Sequence, residues 1–248
     1  MKELAMKHHA RSLLAFVGLA SLAACGVDRP SGALEAASAN AIWDDPALRA
    51  EAVRLAPPLF ARHCASCHGA DLKGTPGAHV PDLTDDRWLF GGEDIDTFNM
   101  KASDVEQTIL HGIRAPDPKT RNWPTMPARG VGQSLEPDEI AAVTEYVLKL
   151  SGQPFDAKQI PLGKETFEVE GGCYDCHTLQ GWGDPATGAA DLTRPRTWLF
   201  GRDRASVAQT VREGRVNSSP AFAGRISATD AKILSAYVLS RAKTLHYN

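Results

Sequence analysis

Apolar positions recur at helical spacing along this chain, in segments separated by loops rich in Gly and Pro. Leu55, Leu59 and Phe60 lie on one helical face leading into Cys64, and Pro57 and Pro58 predict that this helix is irregular or starts late. A second helix is predicted from about Ala102 to His111, with Val105, Ile109 and Leu110 inward. A third opens at Pro137 with Asp138 and Glu139, presents Ile140, Val143, Tyr146, Val147 and Leu150, and stops at Ser151-Gly152-Gln153-Pro154. The last runs from about Thr229 to Ala242 and aligns Ile233, Tyr237 and Val238. The expected fold class is all-α.

Between these helices lies a chemical signature, Cys64-Ala65-Ser66-Cys67-His68, which returns as Cys173-Tyr174-Asp175-Cys176-His177. Two cysteines with two residues between them, followed at once by histidine, form the attachment motif of haem c. The thiols become thioethers on two vinyl groups along one edge of the macrocycle, and the histidine beneath offers a ring nitrogen to iron. A structural zinc site takes four protein ligands, usually as two separated pairs, and a redox dithiol has no need of the histidine. Two covalently bound haem c groups are therefore expected, held by Cys64, Cys67, Cys173 and Cys176, with His68 and His177 as axial ligands.

The fifth cysteine has another context. Lys2, Lys7 and Arg11 precede the apolar run Leu13 to Ala20, which has signal-peptide length. Leu13 to Ala24 is only 12 residues, short of the about 20 that a spanning helix needs. Leu22-Ala23-Ala24-Cys25 resembles the lipobox of bacterial lipoproteins, which implies cleavage before Cys25 and lipidation of its thiol. An uncleaved anchor and a plain secretory signal are the rivals. Residues 1–24 would be the lipoprotein signal peptide and 25–47 a flexible tether. Such a chain sits in the bacterial periplasm, lipid-anchored to a membrane. Without residues 1–24, three basic and one acidic residue are lost, leaving 24 Lys+Arg against 29 Asp+Glu, a formal charge of −5. No basic patch points to nucleic acid.

From Leu48 the chain repeats one plan. Asp82-Leu83-Thr84 matches Asp191-Leu192-Thr193, and Trp88-Leu89-Phe90-Gly91 matches Trp198-Leu199-Phe200-Gly201. The offset is 109 at the haem histidines and 110 at the tryptophans. Two tandem domains formed by internal duplication are expected, 48–152 and 153–248. Helix, Cys-x-x-Cys-His, loops, a methionine and a closing helix resemble the class I cytochrome c fold. The Asp-Leu-Thr, Trp-Leu-Phe-Gly and Met-Pro-Ala segments, arranged twice over about residues 50–242, resemble the dihaem subunit III of cbb-type cytochrome c oxidases. That family has transmembrane helices at its N-terminus, where this chain has a lipoprotein-type signal. The resemblance implies single-electron transfer to or within a terminal oxidase, with redox proteins as partners.

The sixth iron ligand of a cytochrome c is usually a methionine sulfur, which raises the potential. Met126, between Pro124 and Pro127 and ahead of a closing helix, is expected to ligate the haem of His68; Met100 reads as packing. In the second unit Ser219-Pro220-Ala221-Phe222 stands where the family would have Met-Pro-Ala-Phe. The haem of His177 is then either open or ligated by His246, a lysine or water, and the first haem has the higher potential. Arg215, Trp88 and Trp198 are candidate partners of haem propionates. An open haem keeps other classes in view: a dehydrogenase for a small sulfur compound, a peroxidase, or a gas-binding sensor.

Overall fold

The computed structural model describes residues 29–75, 78–86, 88–91, 100–122, 125–130, 134–184 and 187–243. Cys25 and His246 lie outside the described residues. Among the described residues ten α-helices follow in order: α1 Gly32–Ala36, α2 Ala39–Asp44, α3 Pro46–His63, α4 Ala65–His68, α5 Ala102–His111, α6 Pro137–Leu150, α7 Ile160–Glu168, α8 Tyr174–His177, α9 Arg204–Glu213 and α10 Ala228–Arg241. Among the described residues the only extended pairings are isolated bridges, so the fold is all-α as expected.

Caps and faces account for the helix positions. Asp45 opens α3 by accepting from the amides of Ala47 and Leu48 at 2.8 and 3.1 Å. Pro57 and Pro58 lie inside α3 without breaking it. Both are exposed, and the opposite face is buried through Leu55, Ala56 and Phe60, so packing offsets the lost backbone bonds. Helix α6 begins with Pro137 and a reciprocal cap in which Glu139 accepts from the Glu136 amide at 2.7 Å. Its residues from Ala142 to Leu148 are all buried, so it is a central helix.

The helices do not pack in sequence order. Helix α6 lies against α7 and α9, while α10 lies against α3 and α5. Gly163 allows the first contact, because a Cβ there would overlap the Ala142 carbonyl, and the Tyr146 and Phe167 rings meet at 5.3 Å beside it. At the second contact the Phe60 and Tyr237 rings are 5.6 Å apart. One core joins Val143, Tyr146, Val147, Phe167, Val207 and Val211. Another joins Phe60, Leu72, Val105, Leu234 and Val238. Packing thus departs from the division at residues 152 and 153, since each packed unit takes its closing helix from the other half of the sequence. Helical periodicity identifies which face is buried and is silent on which partner buries it.

The segment expected as a flexible tether also differs. Ser31 and Ser38 cap α1 and α2, and Leu34 and Ile42 are fully buried beside Ile233 and Ala236. Lys232 Nζ donates to the carbonyls of Glu35 and Ala37 at 2.7 and 2.8 Å, closing the end of α1 against α10. These helices, of five and six residues, are too short for periodicity to reveal.

Glu145, buried on α6, holds α9 and the linker. Its carboxylate accepts from Arg204 Nε at 2.5 Å and Nη2 at 3.1 Å, and from the Asp156 amide at 2.7 Å. The hydrogen bond from Arg204 keeps the Glu145 carboxyl below the usual glutamate range, despite burial. A depressed carboxyl stabilises the fold above its unfolded pKa and loses that contribution as pH falls through its folded value. We expect Glu145→Gln to lower the thermal midpoint by about 2–4 °C at pH 7. The deficit should shrink as pH falls out of the ordinary glutamate range and through the lowered value of the wild-type carboxyl; calorimetry across pH checks it.

Candidate haem-binding sites

Both cysteine-histidine motifs sit on one short turn that delivers the three side chains together. In the first, the amides of Cys67 and His68 donate to the Cys64 carbonyl at 3.1 and 3.0 Å. In the second, Cys176 and His177 donate to the Cys173 carbonyl at 3.3 and 2.9 Å. The chain then reverses: the Gly74 amide donates to the His68 carbonyl at 2.9 Å, and that of Gly183 to His177 at 3.0 Å. The repeated Asp-Leu-Thr segments are Asx turns, with Asp82 accepting from the Thr84 amide at 2.7 Å and Asp191 from that of Thr193 at 2.8 Å.

His177 Nδ1 lies 2.9 Å from the Ala190 carbonyl, so a proton there leaves Nε2 as the metal-facing nitrogen. The Pro81 carbonyl, at the same sequence interval from His68, favours the same tautomer without completing a hydrogen bond. Burial pushes both histidines below their usual range and leaves the rings neutral, as iron ligation requires. Burial also pushes the Cys64 and Cys173 thiols up to about 11.

Cys64, Cys67 and His68 line a cavity of about 770 Å³ whose apolar walls include Phe60, Trp88 and Val238. Its size suits a cofactor. The Trp88 indole N–H is buried with no acceptor, as expected of a donor awaiting a carboxylate such as a propionate. The residues present therefore fit a haem. Trp198 is different, because its indole donates to the Asp191 carbonyl at 2.8 Å. Arg215 is also engaged: its Nε donates to Thr210 at 3.0 Å and its guanidinium covers Phe200 at 5.0 Å.

The cavity passes into the other unit. Asp191, Arg196 and Trp198 share its lining with the His68 side, and Arg194 Nη1 bridges to Asp86 at 2.7 Å. The His79 and Phe200 rings meet at 4.4 Å across the same boundary. Sequence reasoning missed these contacts, which join residues more than a hundred apart.

The loops expected to face iron are exchanged as the helices are. Met126 packs on the core of α6, α7 and α9 together with Cys173 and Trp198. The Arg215 amide donates to its carbonyl at 3.0 Å, and the amides of Arg129 and Gly130 donate to Val211 and Arg212, both at 3.0 Å. Ser219 instead pairs with Ile113: each amide donates to the other's carbonyl at 3.0 Å. Ser219 and Met100 line the cavity of His68, and Met126 does not. The structure thus brings Met126 to the unit of His177 rather than to His68.

This is the architecture of a cytochrome c: a helical frame around Cys-x-x-Cys-His turns with loops closing over them. The family model for cytochrome c matches residues 55–151. The cbb3-type cytochrome c oxidase subunit FixP of Bradyrhizobium sp. (strain ORS 278) is 37% identical over 212 residues, which are 84% of this chain and 67% of that protein. The CcoP subunit of Azospirillum sp. (strain B510) is 35% identical over 83% of this chain and 68% of its own length. That of Rhodobacter capsulatus is 34% identical over 86% and 68%. The chain belongs to the family of the CcoP and FixP subunits of cbb3-type cytochrome c oxidases. A solved reducing HAO-like complex of Kuenenia stuttgartiensis, at 16% identity, a TM-score of 0.20 and coverage of 76% of this chain and 96% of its own, has no bearing on the architecture. Among the described residues no helix is long and apolar enough to cross a membrane.

Gly112 and Gly214, both at φ +69°, turn the chain where each exchanged loop lands. A Cβ at Gly112 would overlap the Ser219 carbonyl, and one at Gly214 would lie 2.5 Å from that of Met126. We expect Gly112→Ala and Gly214→Ala each to cost about 1–3 kcal/mol in chemical denaturation.

Proposed function

We propose that this chain carries two haem c groups and passes single electrons as a partner or subunit of a cbb3-type terminal oxidase. Cys64 and Cys67 would hold the first haem with His68 as axial ligand. Cys173 and Cys176 would hold the second between His177 and Met126. The observation that carries this reading is the cavity lined by Cys64, Cys67 and His68 with the unpaired Trp88 indole in its wall, together with a second turn of the same form at Cys173, Cys176 and His177. The cbb3 oxidase subunits among its relatives supply the respiratory context.

A bound haem supplies the one-electron change at iron, and the protein supplies ligation, burial and orientation. Neutral His68 and His177 offer nitrogen donors without a proton to displace. The Trp88 indole would receive a propionate of the first haem. Tyr174, Leu179 and Trp182 stand exposed beside the second motif and suit brief contact with a redox partner. Placing Met126 with His177 exchanges the expected order of potentials, so that the second haem is the higher. Cys25, lipidated after removal of residues 1–24, would tether the protein on the periplasmic side of a membrane.

The pyridine haemochrome assay should give two haems per chain, and the account fails at one. Met126→His should lower one potential by on the order of 100 mV, within the ~0.8 V that axial ligands span, and leave the other in place. Cys25→Ser should move the protein from the membrane fraction to the soluble one.

A further inference from the structure

The exchanged loops put a serine, not a methionine, over the cavity of His68. Resting on the reading that a haem c is attached at Cys64 and Cys67, we propose that this first haem keeps its sixth position open to a small uncharged diatomic ligand, while Met126 closes the second. The chain would then combine an electron-transfer haem with a ligand-binding one.

Position carries the first part of the case. Ser219 and Met126 occupy corresponding places, each paired to the backbone just beyond a glycine that ends a helix: Ser219 to Ile113 after α5, Met126 to Arg215 after α9. Ser219 is held on both sides of its peptide by Ile113, so this loop is as firmly placed as the one bearing Met126. A serine hydroxyl is a poor donor to haem iron, which takes nitrogen or soft sulfur at this site in electron carriers.

Met100 is the methionine that lines the cavity, and its side chain packs against Gly91. Its Sδ and Cε lie 2.7 Å from the point where a Cβ of Gly91 would stand, just before the first turn of α5. Ser219 pairs beyond the last turn of that helix, whose ten residues span about 15 Å. The corresponding place in the other unit has Gly201 packed on Ser206, with no methionine.

The lining chemistry selects the ligand class. Beside Ser219 the cavity is lined by Ile113, Asn217, Ser218, Pro220 and Phe222, with the His63 ring 6.4 Å from that of Phe222. The Asn217 amide oxygen accepts from Arg114 Nη1 at 2.9 Å, which leaves its NH₂ as donor. Hydroxyl and amide donors beside an aromatic wall suit a neutral, weakly polar molecule better than an anion.

The test is CO titration of the ferrous full-length holoprotein, followed optically, with haem counted independently by the haemochrome assay. One CO per chain is expected in the wild type, none in Ser219→Met and two in Met126→Ala. Ser219→Ala and Met100→Leu should keep one. Two haems with no CO binding would overturn the open site while leaving the electron-transfer reading intact. Gain of CO binding only in Met100→Leu would overturn it in favour of Met100 as ligand. CO binding that persists in Ser219→Met but disappears when Cys173 and Cys176 are replaced by serine would place the open haem in the other unit and overturn it as well. Fewer than two haems would instead refute the dihaem reading on which the inference rests.

Discussion

Two short antiparallel pairings decide which parts of this chain meet. Ile113 pairs with Ser219, and Met126 pairs with Arg215. Each binds a loop from one half of the sequence to the helix end of the other half, and each loop leads into a helix that completes the opposite core. Two bridges alone are weak, since a net backbone hydrogen bond contributes only about 1 kcal/mol. Their effect is on register: glycine at 112 and 214 admits each loop at one position, and the buried faces of α6 and α10 hold it there. Everything proposed about the irons follows from this exchange.

An exchanged arrangement makes the two units interdependent. Neither core closes without the other half's last helix, so unfolding of one exposes the other. The shared cavity has the same origin, because Asp86 with Arg194 and His79 with Phe200 meet where the units face each other. For electron transfer this sets the two Cys-x-x-Cys-His turns across one boundary instead of leaving them on separate domains joined by a linker.

The two Cys-x-x-Cys-His segments were legible in the sequence as one repeated motif, and their turns share the same backbone hydrogen bonds. The helices of residues 102–111, 137–150 and 228–241 were legible from their periodic faces. Asp82 and Asp191 were visible as repeated residues, though their role as Asx-turn acceptors needed coordinates. The partner of each helix was not legible, since Ile140 and Val143 would look the same against α3 as against α7. Contiguity then led to the pairing of Met126 with His68, the natural assumption for a tandem repeat. The cap serines of α1 and α2 were present too, but Leu34 and Ile42 are too isolated to stand out from a polar segment.

The central claim is that ligand loops and haem motifs are exchanged between the halves. The most direct measurement is the methionine-to-ferric-iron charge-transfer band, recorded after the thioether cysteines of each motif are replaced in turn by serine. The exchange predicts that the band survives loss of Cys64 and Cys67 and disappears with Cys173 and Cys176. A band that disappears with Cys64 and Cys67 and survives loss of the second pair would contradict it, and would return Met126 to the haem of His68.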